Sequence, residues 1–312
     1  MKQIATLLFF MLINTLGLMA QSVKSLEEKL NQSSLTSTQR IDIMNNLSRE
    51  LCFVDYAKSL YYAQEALANS TEYGYLTGIA YSYRNLGNVH CFNESYFAGI
   101  EFLQRAIDLF KNEGDSAGIA NCYISLGYTY RQLADKNQEL EYNRKSFEIF
   151  KRLGSPERIG VTSHNLGESY YNIGNYEKSE ELTLLAIHIN DSIQKLTVLS
   201  SCYKVMGLIH LKKGNLDIAE RNFEKVLKIG RKLGENSQKV ATIIAYMQLS
   251  SIYKHQQNTE KELQYLTQAI EFGKTHNLRT YLKELYLTLS IYYTESYQPE
   301  KTRSTMALYK EV

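Results

Sequence analysis

Apolar residues along this chain follow two rhythms at once. In short windows they fall at i, i+3, i+4 and i+7, the spacing of one helix face. Over longer distances the same stripe returns about every 40 residues, as a helical repeat does. The stretch from Ile119 to Gly154 shows both. Tyr123, Leu126, Gly127 and Tyr130 make one stripe with a small residue inside it, and Asp135-Lys136-Asn137 marks a turn. A second amphipathic helix is predicted from Gln138 to Leu153. The unit reads as a helical hairpin.

The Leu-small pair of this stripe recurs as Leu47-Ser48, Leu86-Gly87, Leu166-Gly167, Met206-Gly207, Leu249-Ser250 and Leu289-Ser290, at spacings of 39, 40, 40, 40, 43 and 40 residues. Four residues after each first member stand Leu51, His90, Tyr130, Tyr170, His210, Tyr253 and Tyr293. The second helix repeats a four-then-three spacing: Ser59, Ala63, Ala66; Gly99, Leu103, Ala106; Glu139, Asn143, Ser146; Ser179, Thr183, Ala186; Ala219, Phe223, Val226; and Glu262, Leu266, Ala269. Its third residue is always small or short. A glycine inside a helix costs about 1 kcal/mol relative to alanine. Gly87, Gly127, Gly167 and Gly207 therefore predict close approach of the partner helix.

These patterns predict an all-α fold, a solenoid of about seven hairpins over residues 41–312, preceded by a capping segment over residues 21–40. That segment has a helix at Val23–Leu30 and a polar link at Ser33–Gln39. Breaks between hairpins are expected at Gly74, Gly114-Asp115, Gly154-Ser155-Pro156, Asn190-Asp191, Gly234 and Gly273. Ser155-Pro156-Glu157 reads as a cap, a first-turn proline and a first-turn acid.

The chain has 312 residues, 44% hydrophobic and 22% charged, enough apolar material for a sizeable core. It has 25 Tyr and no Trp, and tyrosines at helical spacing read as core packing. A net charge of +2 gives no electrostatic case for nucleic acid or an anionic membrane. Residues 1–20, Lys2 followed by an apolar run from Ile4 to Leu18 and a small Ala20, read as a cleaved signal peptide, hence an exported, periplasmic or envelope-associated product with no membrane span in the mature chain; an uncleaved anchor is the alternative, since Leu18 is larger than the usual residue there. Cys52 and Cys91 fall in equivalent slots, as do Cys122 and Cys202. Equivalent positions on stacked helices lie roughly 8–10 Å apart, so free buried thiols are expected.

The motifs resemble the tetratricopeptide repeat: aromatic, Leu-Gly, then Tyr in the first helix, and small, aromatic, small in the second. Asn165-Leu166-Gly167-Glu168-Ser169-Tyr170, Gly174-Asn175-Tyr176-Glu177-Lys178-Ser179 and Gly214-Asn215-Leu216-Asp217-Ile218-Ala219 carry the likeness. Tyr replaces the usual Trp, Gly mostly replaces the Pro that ends the second helix, and the period is near 40 rather than 34. The resemblance implies a right-handed superhelical array. Its long variety is similar to the exported sensor regions of bacterial signalling proteins such as histidine kinases, although no output module is recognisable.

No Gly-rich phosphate loop, metal-binding His pair, Cys-x-x-Cys or nucleophile elbow occurs, so neither catalysis, a cofactor nor a metal is expected. A binding surface remains. In a stack of helical hairpins the first helices line a concave groove. Counting two before and two, five and six after each leucine gives six basic side chains against two acidic ones, which suits an acidic or carboxylate-bearing extended peptide. The candidate binding residues are Arg49, Arg84, Asn88, Asn121, Tyr128, Arg131, His164, Tyr171, Lys204 and Lys212. An intracellular repeat protein that binds a regulator is the alternative to an exported one.

Overall fold

The computed structural model describes residues 22–52, 54–234 and 237–312. The expected leader lies outside them. Among the described residues there are fifteen helices and no strand: α1 over residues 22–30, then α2 (Ser37–Leu51), α3 (Tyr56–Glu72), α4 (Leu76–Phe92), α5 (Tyr96–Glu113), α6 (Ser116–Gln132), α7 (Lys136–Leu153), α8 (Pro156–Asn172), α9 (Tyr176–Ser192), α10 (Leu196–Lys212), α11 (Leu216–Leu233), α12 (Lys239–His255), α13 (Thr259–Thr275), α14 (Arg279–Glu295) and α15 (Pro299–Glu311). No described helix is long and apolar enough to cross a membrane. The residues form two compact units, one ending at Asn175 and the other beginning at Tyr176.

In the first unit α2 to α8 pack each against the next, and α2 also touches α4 and α4 touches α6. The helix α1 is held at the front by Arg40, whose Nη1 donates to the Leu30 carbonyl at 2.9 Å and Nη2 to that of Gln32 at 2.7 Å. The polar link is shorter than expected. Thr36 accepts from the Gln39 backbone N–H while the Gln39 side chain accepts from that of Thr36. This reciprocal capping box starts α2 at Ser37, four residues before the expected boundary at residue 41.

The Leu-small contacts set the packing. Leu47, Leu86, Leu126, Leu166, Met206, Leu249 and Leu289 are all buried. In the hairpin of α4 and α5, a Cβ on Gly87 would meet the Gly99 carbonyl oxygen at 3.0 Å, and one on Gly99 would meet the Gly87 oxygen at 2.9 Å. The two backbones approach closely, with Leu103 Cγ 2.6 Å from the Gly87 Cβ position and Cys91 Sγ packed on Gly99. At two of the three serine slots the hydroxyl reaches the second helix, Ser48 and Ser59 hydroxyls lying 3.3 Å apart and Ser250 Oγ donating to the Glu262 carbonyl at 3.0 Å, whereas Ser290 Oγ donates to the Leu287 carbonyl of its own helix at 2.8 Å. The core of the first unit, Leu103, Ala106, Ile107, Phe110, Cys122 and Leu126, grows around this contact, with Tyr83, Tyr123 and Tyr130 against it.

The second unit contains α9 to α15, again packed in sequence. Phe223, Val226, Leu249 and Ile252 belong to one core cluster, and Ile243, Leu266, Leu285 and Leu289 to another. The aromatic slot four residues after the leucine has one role in three hairpins. His90 stacks on Phe102 with ring centroids 5.3 Å apart, and Tyr130 on Tyr142 and Tyr253 on Tyr265 at 5.4 Å. These rings tie the first helix to the second, as aromatic packing positions do.

Several turns differ from expectation. The break expected at Asn190-Asp191 falls later, where Gln194 takes a φ of 53°. Gly273 is no turn: it lies inside α13, and a Cβ there would meet Leu282 Cδ2 at 2.8 Å. That chain reversal is made by Asn277 at a φ of 53°. Ser155 makes no side-chain cap bond, while Pro156 does take the first turn of α8.

A Cβ on Gly127 would meet Asn143 Cγ, a buried amide on α7, at 2.9 Å. Gly127→Leu is expected to destabilise the chain by about 1–3 kcal/mol through overpacking, despite leucine's better helix propensity. Urea unfolding checks this; an unchanged or raised midpoint would contradict the packing described.

Candidate functional site

The first unit encloses a cavity of about 330 Å³ between the first helices of successive hairpins. Its apolar wall is Cys52 of the α2 end, Cys91 and Phe92 of α4, and Ile124 and Tyr128 of α6. Phe92 and Tyr128 are in ring contact, centroids 5.2 Å apart. Polar groups converge from Ser48, Arg49, Asn85, Asn88, Ser125, Arg131, Asn143 and Asn165. A mostly apolar hollow with a few convergent polar groups is the usual form of a ligand site.

A ladder of amides holds the rear of the cavity. Asn85 Nδ2 donates to the Asn45 carbonyl at 2.8 Å and to Asn45 Oδ1 at 3.0 Å, which also accepts from Ser82 Oγ at 3.1 Å. Asn143 Nδ2 donates to Ser169 Oγ at 2.8 Å. The side-chain oxygens of Asn85 and Asn143, residues 3% and 1% exposed, have no hydrogen-bond partner among the described residues. A buried acceptor left unpaired costs about 1–3 kcal/mol, and that of Asn143 packs against Gly127 of α6 rather than opening to solvent.

Of the ten residues expected to bind, Arg49, Asn88, Tyr128 and Arg131 line this cavity; Arg84, Asn121, His164 and Tyr171 belong to the same unit but do not. Lys204 and Lys212 stand on α10 in the second unit. His164 is only 8% exposed, with Nε2 4.0 Å from Glu168.

Arg131 is committed elsewhere. Its Nε donates to Glu139 Oε1 at 2.8 Å and its Nη1 to Glu168 Oε2. Glu139, 1% exposed, also accepts from Ser169 Oγ at 3.1 Å and Asn172 Nδ2 at 3.2 Å. Burial alone would lower the Arg131 pKa, and the Glu168 and Glu139 charges raise it above the usual value. In the second unit Lys254 is likewise paired with Glu295 at 2.8 Å. The groove is less basic than the first-helix count implies, because that count omits Glu139.

Arg84 is different. It is half-buried, its guanidinium carbon lies 5.4 Å from the Tyr81 ring centroid, and no carboxylate pairs with it among the described residues. Burial lowers its pKa, and the nearby charges of Arg49 and Arg158 act in the same direction.

All four cysteines are free and buried. Burial pushes the Cys52 thiol up to about 11 and the Cys122 thiol up to about 12. Cys91 is raised as well, and its Sγ accepts from Thr129 Oγ1 at 3.0 Å. Thiols so far from their thiolate form are packing groups. Among the described residues no set of three His, Cys, Asp or Glu side chains could hold a metal.

Fold and site together define a stack of helical hairpins with a ligand-sized hollow among its first helices. The tetratricopeptide repeat family model matches residues 78–152 and 198–275. No curated protein matches the chain. Among solved structures it is similar to the apo form of the quorum sensor NprR from B. thuringiensis, 20% identical over 97% of this chain and 86% of that one, TM-score 0.70. NprR in complex with its cognate peptide NprX is 16% identical over 96% and 88%, TM-score 0.63. The apo form of RapI is 15% identical over 87% and 96%, TM-score 0.67. At such identities the likeness is one of fold.

The raised thiols set an alkaline limit. Their folded pKa exceeds that of the unfolded chain, near 9, so the stability they contribute is intact below pH 9 and lost as pH rises towards 11 to 12. Melting temperature is expected to fall over that window, and less so in a Cys122→Ala variant; a flat profile above pH 9 would contradict the assignment.

Proposed function

We propose that this chain is a non-enzymatic scaffold that captures an extended peptide on the first-helix face of its first unit. The observation that carries the reading is the cavity itself: a mostly apolar hollow of about 330 Å³ on which asparagine, serine and arginine side chains converge. A peptide fits both parts: an apolar side chain fills the space against Cys52, Cys91 and Ile124, and its backbone groups meet polar lining side chains such as Asn88 and Ser125. Arg84, with Arg49 close by, receives an acidic side chain or terminal carboxylate, which makes the preferred ligand acidic.

The solved NprR complex, a hairpin stack of similar fold with its cognate peptide, supports this class of ligand. The leader-like residues 1–20 support an exported, envelope-located scaffold, related to the sensor half of a signalling receptor. A second reading, an intracellular regulator that senses a signalling peptide, is favoured by the likeness to the quorum sensor NprR.

Selection of the purified chain against a random peptide library tests the site. Enriched peptides are expected to share an apolar residue near an acidic one. Ser125→Trp, which fills the hollow, should abolish capture, and Arg84→Gln should weaken acidic binders about tenfold. Selected peptides that bind the Ser125→Trp chain as tightly as the original would defeat the proposal. For location, export predicts a mature product beginning at Gln21 in the envelope fraction; a cytoplasmic product retaining Met1 or Lys2 would favour the second reading.

A further inference from the structure

The second unit carries a surface that the groove does not use. Between the second helices α11 and α13 runs a trough of about 600 Å³, floored by Tyr246 and Tyr265 and edged by Gln264 and Gln268. Its α11 wall presents Arg221, Lys225, Lys228 and Arg231 against the single carboxylate Glu224, a net +3. All four cations are exposed, and none forms an ion pair among the described residues.

Some cations on other helices are neutralised by neighbours one turn away: on α5 Arg105 by Glu101, and on α7 Arg144 by Glu148 and Lys145 by Glu141. On α11, Asp217 and Glu224 lie four and three residues from Arg221, the right spacing for such pairs, yet no bridge forms. Lys225 instead stands 4.6 Å over the Tyr203 ring. Arg221, Lys225 and Lys228 follow one another at four and three residues, so they share one helix face and aim their charge along one edge of the trough.

We propose that this trough is a docking surface for an acidic segment of a partner protein. Its cationic edge, about 15 Å from Arg221 to Arg231 at the helical rise, matches carboxylates placed one turn apart on the partner. The tyrosine floor offers ring faces and hydroxyls to the partner's other side chains. Glu224 within the edge, and Glu271 in the adjoining hollow that shares Tyr246 and Gln268, would repel a uniformly negative phosphate chain. A protein segment can set a basic residue opposite each. The inference is independent of the peptide groove, which belongs to the other unit.

The test uses the full chain and a labelled helical peptide of about 14 residues with glutamates four and three apart, titrated by fluorescence anisotropy at near-physiological salt. Binding is expected to weaken about tenfold in Arg221→Glu/Lys228→Glu, to fall with added salt, and to be unaltered in Lys310→Glu, an exposed control. Circular dichroism verifies that the double variant keeps its helix content. Four results would each overturn the proposal: no binding by the intact chain, equal binding by the double variant, tighter binding of a single-stranded oligonucleotide or anionic vesicles than of the peptide, or a homodimer that the double variant dissolves.

Discussion

The constraint on which this structure depends is the contact between a small residue in the first helix of a hairpin and the facing turn of the second. At Gly87 and Gly99 the two backbones meet, at Ser48 and Ser59 two hydroxyls bridge the same gap, and at Gly207 the face of Phe223 lies where a Cβ would be. Each leucine beside a small residue is thereby drawn into the core, where burial contributes roughly 1.5–3 kcal/mol. Glycine's cost in helix propensity is smaller than that. Close approach therefore wins, and the aromatic slot one turn on locks the pair by stacking.

The same contact fixes what the other face can do. With one side of each first helix sealed against its partner, the residues two before and two after the leucine face away from the seal, and the residue five after lies at its border, as Cys91 does against Gly99. In the first unit these rows supply Arg49, Cys52, Asn88, Cys91, Ile124, Tyr128 and Arg131 to a single cavity. Its polar groups are not equivalent. Arg131 is held in a buried network with Glu139 and Glu168, which gives it a structural task, whereas Arg84, outside the cavity lining, has no carboxylate partner among the described residues.

Much of this was legible in the sequence because register is a property of spacing. A leucine returning at 39 to 43 residues with a small neighbour locates the first helix of every hairpin, and a four-then-three spacing locates the buried face of the second. What was not legible depends on partners far apart in the chain. Glu139 stands in an inward slot, but that it neutralises Arg131 follows only from the meeting of α6 and α7 with Glu168 of α8. Gly273 looks like the turn glycines and is instead a packing glycine against Leu282, while Gln194 and Asn277 adopt the left-handed turn conformation without being glycine. Glycine marks a need for space or for positive φ, and sequence alone does not separate the two. Asn85 and Asn165 sit one residue away from the rows, and Asn143 stands in an inward packing slot of a second helix, so spacing alone counts none of them with the site.

The most direct measurement is a double-mutant cycle on Gly207 and Phe223, followed by urea unfolding. A Cβ on Gly207 would meet Phe223 Cζ at 2.7 Å. Gly207→Ala alone should therefore lower stability, although alanine is the better helix former by about 1 kcal/mol. In a Phe223→Leu background, where the ring is gone, the same change should raise stability, a reversal of sign that reports the contact itself. If Gly207→Ala has the same effect in both backgrounds, the glycine is not there for close approach, and the account of how these hairpins close is wrong.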